Sequence, residues 1–208
     1  MNAADLQYWQ EVLAGPLPGK RAQQKMEPEH RMNPGRAGKP IDAAVLVLMY
    51  PLDRSTAVVF IKRNSYDGPH SAQISFPGGM KEHSDTDLAA TALRETREEL
   101  GIVEEPVVLG PLSPLFIPVS NFMVYPFLGL LEKRPDFQPD PSEVAYVIEA
   151  GIPVLLAPET PRQERWLLHG QEVDVPFYQI GKEKIWGATA MILSEFLQLA
   201  AGLPVHRH

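Results

Sequence analysis

Residues 77–102 read PGGMKEHSDTDLAATALRETREELGI, and the way this stretch folds decides the architecture around it. Pro77-Gly78-Gly79 interrupts any regular element and predicts a turn. Ser84, Asp85, Thr86 and Asp87 then supply N-cap candidates and negative charge for the positive end of a helix dipole. Leu88, Ala92, Leu93 and Leu100 recur as a core-facing stripe, and Gly101 suits the left-handed position that closes a helix. On this helix Glu95, Glu98 and Glu99 stand at i, i+3 and i+4, so three carboxylates project from one side. Each close like-charge pair costs about 0.2–0.5 kcal/mol on a solvated helix. A bound cation would explain the cluster, as would neutralisation by Arg94 and Arg97; taken alone, the triplet reads first as a solvated helix face. Clusters of carboxylate oxygens suit Mg²⁺ or Mn²⁺, hard ions that also bind phosphate oxygens and activate water.

Upstream, Ala43 to Tyr50 is a near-continuous apolar run, as expected of a central strand buried on both faces. Ala57 to Lys62 reads as its neighbour, and the short Pro51–Thr56 connection makes the pair antiparallel. Ile74-Ser75-Phe76 is a short extended piece. Downstream, Val107 to Leu109 and Phe122 to Leu131 read as strands, Pro141 to Ala150 as a short second helix, and Glu164 to His169 and Glu172 to Ile180 as strands. Trp186 to Ala201 forms a terminal amphipathic helix. Residues 1–40 separate into an amphipathic helix over Met1 to Gly15 and an irregular connection from Pro16 to Pro40; the main domain, 41–208, begins near Ile41. The pattern predicts an α/β or α+β sandwich with a mixed sheet. Isolated aromatics at element positions, Trp9, Trp166 and Trp186, read as packing anchors.

With 208 residues the chain supports one well-buried core. Its formal net charge of −7 disfavours nucleic acid as a partner unless cations intervene. Without cysteine there is no thiolate nucleophile, disulfide or cysteine zinc site. No basic leader with an apolar core opens the chain, and no apolar run approaches the roughly 20 residues that span a bilayer. The expectation is a soluble cytoplasmic protein with no membrane partner. A symmetric homodimer is a candidate assembly that no feature of the sequence selects.

The turn Pro77-Gly78-Gly79, followed by a helix closing on Arg94-Glu95-Thr96-Arg97-Glu98-Glu99-Leu100-Gly101-Ile102, resembles the Nudix box, G-x5-E-x7-R-E-U-x-E-E-x-G-U with U a bulky apolar residue. Thr96 stands at the first U. The spacing from Gly79 to Arg94 is one residue longer than the pattern, so its first glutamate falls on Asp85, Thr86 or Asp87. Lys62-Arg63-Asn64-Ser65 and His70-Ser71-Ala72-Gln73-Ile74-Ser75-Phe76-Pro77-Gly78-Gly79 resemble the signature of the coenzyme A diphosphatase branch, with Ala72 where that signature has Gly. Pro141-Ser142-Glu143-Val144 and Ile185 to Ala190 look like further elements of the branch.

The resemblance implies a Nudix-type α/β/α sandwich with a loop–helix–loop motif, and hydrolysis of a diphosphate bond in a nucleoside-diphosphate-linked small molecule. Coenzyme A or acyl-coenzyme A is the implied substrate. It implies that Glu95, Glu98, Glu99 and the carbonyl of Gly78 hold Mg²⁺ or Mn²⁺, that Arg94 orients Glu95, and that Glu95 or Glu143 deprotonates water. Arg63, His70, Gln73 and Gly79 would contact the substrate. Apart from the resemblance, Glu143 reads equally as a solvated residue early in a helix, Arg63 and Gln73 as structural bonding partners, and His70 as a loop donor. Two rival readings remain: the same chemistry on ADP-ribose, dinucleotides or nucleoside triphosphates, and a non-catalytic nucleotide sensor or interaction module.

Overall fold

The structure, a computed structural model, describes residues 3–29, 38–64, 73–168 and 170–203. From the N-terminus come α1 (Ala3–Ala14), α2 (Gly19–Gln23) with a 3-10 turn (Gln24–Met26), and the hairpin of β1 (Ile41–Leu52) and β2 (Ser55–Arg63). Next are β3 (Ile74–Ser75), β4 (Gly78–Met80), α3 (Leu88–Leu100), β5 (Val107–Pro111), β6 (Leu115–Ile117) and β7 (Phe122–Leu130). The chain ends with β8 (Val144–Gly151), α4 (Ile152–Leu155), β9 (Pro161–Leu168), β10 (Gln171–Ile180), β11 (Glu183–Trp186) and α5 (Gly187–Ala200).

β1 is the axis of an eight-stranded mixed sheet. One edge runs parallel to β7 along nearly its whole length, from Ile41 opposite Phe122 to Met49 opposite Leu130. Its other edge is shared. Met49 to Leu52 pair antiparallel with β2, whereas Ala43 to Val45 pair with β4. Past the hairpin the two strands splay apart, and the segment β3–Phe76–Pro77–β4 is wedged between them: Ile61 and Lys62 pair with β3, and Leu46 N–H donates to Pro77 O at 2.9 Å. β9, β10 and β11 form a separate antiparallel sheet.

Side chains alternate along β1 because successive residues of a strand face opposite sides. Ala44, Leu46, Leu48 and Tyr50 pack towards Ala92 and Leu100 of α3; Ala43, Val47 and Met49 join the core containing Trp9 of α1 and Phe196 of α5. The sheet is therefore covered on both faces, as expected of an apolar run without alternation. Trp9 is fully buried and stacked on Phe196, with ring centroids 5.6 Å apart, so it is a packing anchor. Among the described residues no helix is long and apolar enough to cross a membrane.

Two sequence expectations are corrected. Pro141 to Ala150 is not a helix: Val144–Gly151 is a strand running antiparallel to β2. The Asp140 carboxylate accepts hydrogen bonds from the Ser142 amide and hydroxyl at 2.8 and 2.7 Å, and this local turn diverts the backbone. The following Val-Ala-Tyr-Val-Ile is rich in β-branched and aromatic residues and completes an open sheet edge. Within the stretch expected to be irregular, Gly19–Met26 is helical and packs on α5. The reason is Glu195, a fully buried carboxylate of α5 that accepts from Gly19 N at 3.1 Å, Gln23 Nε2 at 2.9 Å and Ser113 N at 3.3 Å.

α3 ends as expected, with Gly101 at φ +61° donating to Arg97 O and Gln138 N–H capping Leu100 O at 2.9 Å. A Cβ at this position would collide with the Gln138 carbonyl. Gly101→Ala combines left-handed strain with that collision and should cost about 2 kcal/mol or more, a fall in Tm of about 4–8 °C by thermal denaturation. An unchanged Tm would show that this junction yields freely.

Candidate active site

The wedged segment brings the glycines to the helix. Gly78 has φ +152°, and a Cβ there would collide with Ala44 O and the Val45 backbone of β1. At Gly79 the position of a Cβ is occupied by the Glu95 carboxylate. The pair is thus a strand, not the turn expected from sequence, and its missing side chains allow β1 to approach from one side and Glu95 from the other.

Above it, α3 presents its acids in fixed positions. Asp87 is the N-cap, accepting from Ala90 N at 2.8 Å. Asp85 lies outside the helix and receives Arg94 through both arms of its guanidinium fork, Nε at 2.9 Å and Nη2 at 3.0 Å. These bonds hold the Asp85 carboxyl well below the usual carboxylate range. Arg94 Nη1 simultaneously reaches Glu95 Oε1 at 2.9 Å and Glu98 Oε2 at 3.0 Å, and Nη2 reaches Met80 O at 3.1 Å. Of the three residues left open by sequence for the first acid of the box, Asp85 is the one facing Arg94.

Glu99 is 1% exposed. It accepts from Gly78 N at 2.8 Å and from Arg63 Nη1 at 3.0 Å. Burial pushes its carboxyl up to about 7, against those two donors, and Glu95 and Glu143 raise it further. Burial also raises Glu95, with contributions from Glu98 and Glu143. Glu98 is largely exposed. Glu143 occupies the turn before β8, where its carbonyl accepts from Asn64 N, and its charge is felt at both Glu95 and Glu99.

Arg63, Gln73, Gly78, Gly79, Glu95 and Glu143 line one cleft of about 990 Å³. Glu99 lies behind Gly78, Glu98 faces outward, and Gln73 O accepts from Arg63 N at 3.0 Å. His70 falls outside the described residues. Among the described residues no three acidic or histidine side chains converge as a ready metal cage: Glu95 and Glu98 share Arg94, while Glu99 holds Gly78 and Arg63. The donor set nonetheless has the chemistry of a hard-cation site, because Glu95 and Glu99 are carboxylates raised by burial and by neighbouring acids even with Arg94 and Arg63 bound to them. Sequence reasoning missed part of the cleft's lining. Trp186, expected as a packing anchor, lines it half-buried in an edge contact with Trp166, together with Ala188 and Ile192 of α5. Thr189 Oγ1, donating to Ile74 O at 2.9 Å, ties this wall to β3.

Residues 40–169 match the NUDIX domain. The mitochondrial coenzyme A diphosphatase NUDT8 of Homo sapiens is 34% identical over 167 residues, covering 78% of this chain and 71% of that protein. An uncharacterized Nudix hydrolase, NudL, of Photorhabdus laumondii subsp. laumondii is 33% identical over 157 residues, covering 75% of this chain and 83% of its own. A MutT/nudix family protein from Enterococcus faecalis, at 18% identity, shares the fold with a TM-score of 0.53 over 97% of this chain and 75% of that one. A family match spanning more than half of the sequence, relatives of this similarity and an α/β/α sandwich carrying the acidic helix agree, and the chain belongs to the Nudix family of diphosphate-bond hydrolases.

Proposed function

We propose that this chain hydrolyses the internal diphosphate of coenzyme A or its acyl thioesters, giving adenosine 3′,5′-bisphosphate and phosphopantetheine or its acyl form. The observation that carries this reading is the composition of the cleft. Glu95, Glu143 and Arg63 line a space that also carries aliphatic Ile41, Val45 and Val124, aromatic Phe122 and Trp186, and polar Lys81 and Gln171. Its apolar part suits a pantetheine or acyl tail, and its charged part a diphosphate. The motif around Arg63 and Gln73 and the relative named as a coenzyme A diphosphatase support the same choice. The intact acids Glu95, Glu98 and Glu99 argue against a non-catalytic sensor.

In this reading Glu95, Glu98, Glu99 and the Gly78 carbonyl would hold Mg²⁺ or Mn²⁺, which would supply charge neutralisation and a more acidic water. Arg94 sets the spacing of Glu95 and Glu98 by bonding both from one nitrogen, and Asp85 fixes Arg94. Arg63 has one nitrogen on Glu99, so it positions that acid as well as lining the cleft. Gly79 keeps the approach to Glu95 open and Gln73 borders it. Glu95 and Glu143 both line the cleft and are the two candidates, by the resemblance, for taking the proton of the attacking water.

Incubating the protein with Mg²⁺ or Mn²⁺ and a mixture of coenzyme A, acyl-coenzyme A, ADP-ribose and dinucleotides, followed by mass spectrometry, should show phosphopantetheine and adenosine bisphosphate as the dominant products. Dominant cleavage of ADP-ribose would remove the substrate assignment and leave the diphosphate chemistry.

Glu99→Gln should lower kcat at least about 100-fold while the circular dichroism spectrum stays that of the folded protein, since one charge-stabilising group contributes on that scale. Wild-type activity in this variant would defeat the metal-site assignment. Glu95→Gln and Glu143→Gln then separate the base: the variant that also abolishes the acidic limb of the kcat/KM–pH profile removed it.

Glu99 also links metal and pH. Its folded value of about 7 lies above the ordinary 4.5, so its contribution to stability is present below about 4.5 and is lost as pH rises through about 7. A cation requires the ionised carboxylate and offsets that loss. The rise in Tm on adding saturating Mg²⁺ to metal-free protein should therefore grow between pH 5 and pH 8. A rise that is the same at both ends would place the cation elsewhere.

A further inference from the structure

Among the described residues, the cationic side chains that line the cleft are those of Arg63 and Lys81. Arg63 is bonded to Glu99 at 3.0 Å, whereas Lys81 forms no ion pair with any described residue. The nearby acids are committed elsewhere: Asp85 receives Arg94 at 2.9 Å, and Glu82 Oε1 lies 4.0 Å from the same guanidinium. Asp42 meets Lys81 through the backbone, its carbonyl accepting from Lys81 N at 3.0 Å. That bond extends the pairing of β4 with β1, so Lys81 stands two residues beyond Gly79 on the same side of the strand. Gly79 is the position that the Glu95 carboxylate covers, and Lys81 follows about 7 Å further along. Met80, between them, is turned to the opposite face and is 52% exposed; Ile41, 46% exposed, lies near it on β1, with Phe122 of β7 directly opposite Ile41. All three border the cleft.

We propose that Lys81 is a specificity-determining residue that reads a phosphomonoester on the ribose of the substrate, with the nucleobase lying over Met80, Ile41 and Phe122. The inference rests on the diphosphate hydrolysis proposed above; it adds which side of the acids takes the nucleoside and which chemical mark is recognised there. A phosphate one ribose away from the diphosphate meets an ammonium that no carboxylate has neutralised, and a lysine suits it as a compact point charge. Elsewhere the cleft carries Glu29, Glu95 and Glu143, which repel such a group. A planar base suits the neighbouring surface because Phe122 offers an aromatic ring and Met80 a polarisable thioether, both with area left open to a ligand. The apolar lining around Trp186 is left for the other end of the substrate.

The test measures kcat/KM for coenzyme A and for 3′-dephospho-coenzyme A, which differ only in the ribose phosphate, with Mg²⁺ present. Wild type should prefer coenzyme A at least about tenfold, mainly through KM, and the preference should shrink as ionic strength rises. Lys81→Ala should cut that ratio at least about fivefold by raising KM for coenzyme A, and Lys81→Arg, which keeps the charge, should retain most of it. A wild-type ratio near one, or a folded Lys81→Ala variant that keeps the ratio, overturns the proposal. The wild-type ratio decides even if a variant fails to fold. If wild type cleaves neither compound, the catalytic reading fails separately. Lys81 is then judged by calorimetric titration of adenosine 3′,5′-bisphosphate and of adenosine 5′-monophosphate. The bisphosphate should bind at least about tenfold more tightly to wild type, and equal affinities overturn the proposal.

Discussion

The hydrogen bond from Gly78 N–H to the Glu99 carboxylate joins the strand wedged into the sheet to the helix laid across it, and the site depends on that junction. β1 and β2 cannot remain paired beyond Met49 and Val58 because the 74–80 segment occupies the space between them. Only a residue without a side chain can sit as close to Ala44 and Val45 as Gly78 does. Its amide, brought near the helix in this way, meets an acid in an environment almost sealed from water. Glu99 is therefore costly as an ion and held in place at the same time, a combination common at functional centres.

The arginines divide the remaining charge. Arg94 is neutralised by an acid outside the helix, Asp85, and uses its other nitrogen to hold Glu95 and Glu98. Arg63 reaches across from β2 to the buried Glu99. The acidic face is thus an ordered network in which each carboxylate has a distinct degree of burial and a named partner. Asymmetry of this kind lets neighbouring acids perform different tasks, one ligating and another accepting a proton.

The N-terminal helices and α5 supply the other half of the molecule. Glu195 gathers backbone and side-chain donors from residues 19–23 and 113 onto the terminal helix, and Trp9 stacks on Phe196 nearby. Leaving a buried carboxylate without those donors would cost several kcal/mol, which binds the N-terminal segment to the same core as the sheet. The rigid seat this provides for α5 matters to the cleft, since the same helix faces it with its first two turns.

Much of this was legible in the chain itself. The apolar run of β1, the amphipathic α3 closed at Gly101 with its N-cap among Ser84 to Asp87, and the grouping of Glu95, Glu98 and Glu99 are local consequences of residue type and spacing, because helix and strand periodicities are properties of the backbone alone. Residues 141–150 were misread since a segment with both helical and extended options is settled by its neighbour, here the open edge of β2. Which acid pairs with Arg94, which of three glutamates is buried, and why Gly78-Gly79 form a strand could not be read from spacing. Those depend on atoms brought together from distant positions. The sequence by itself determined which acids the helix carries and the family to which the chain belongs; only the tertiary structure decided how those acids are partnered and which of them line the cleft, because burial and contact are properties of packed elements and not of the order of residues.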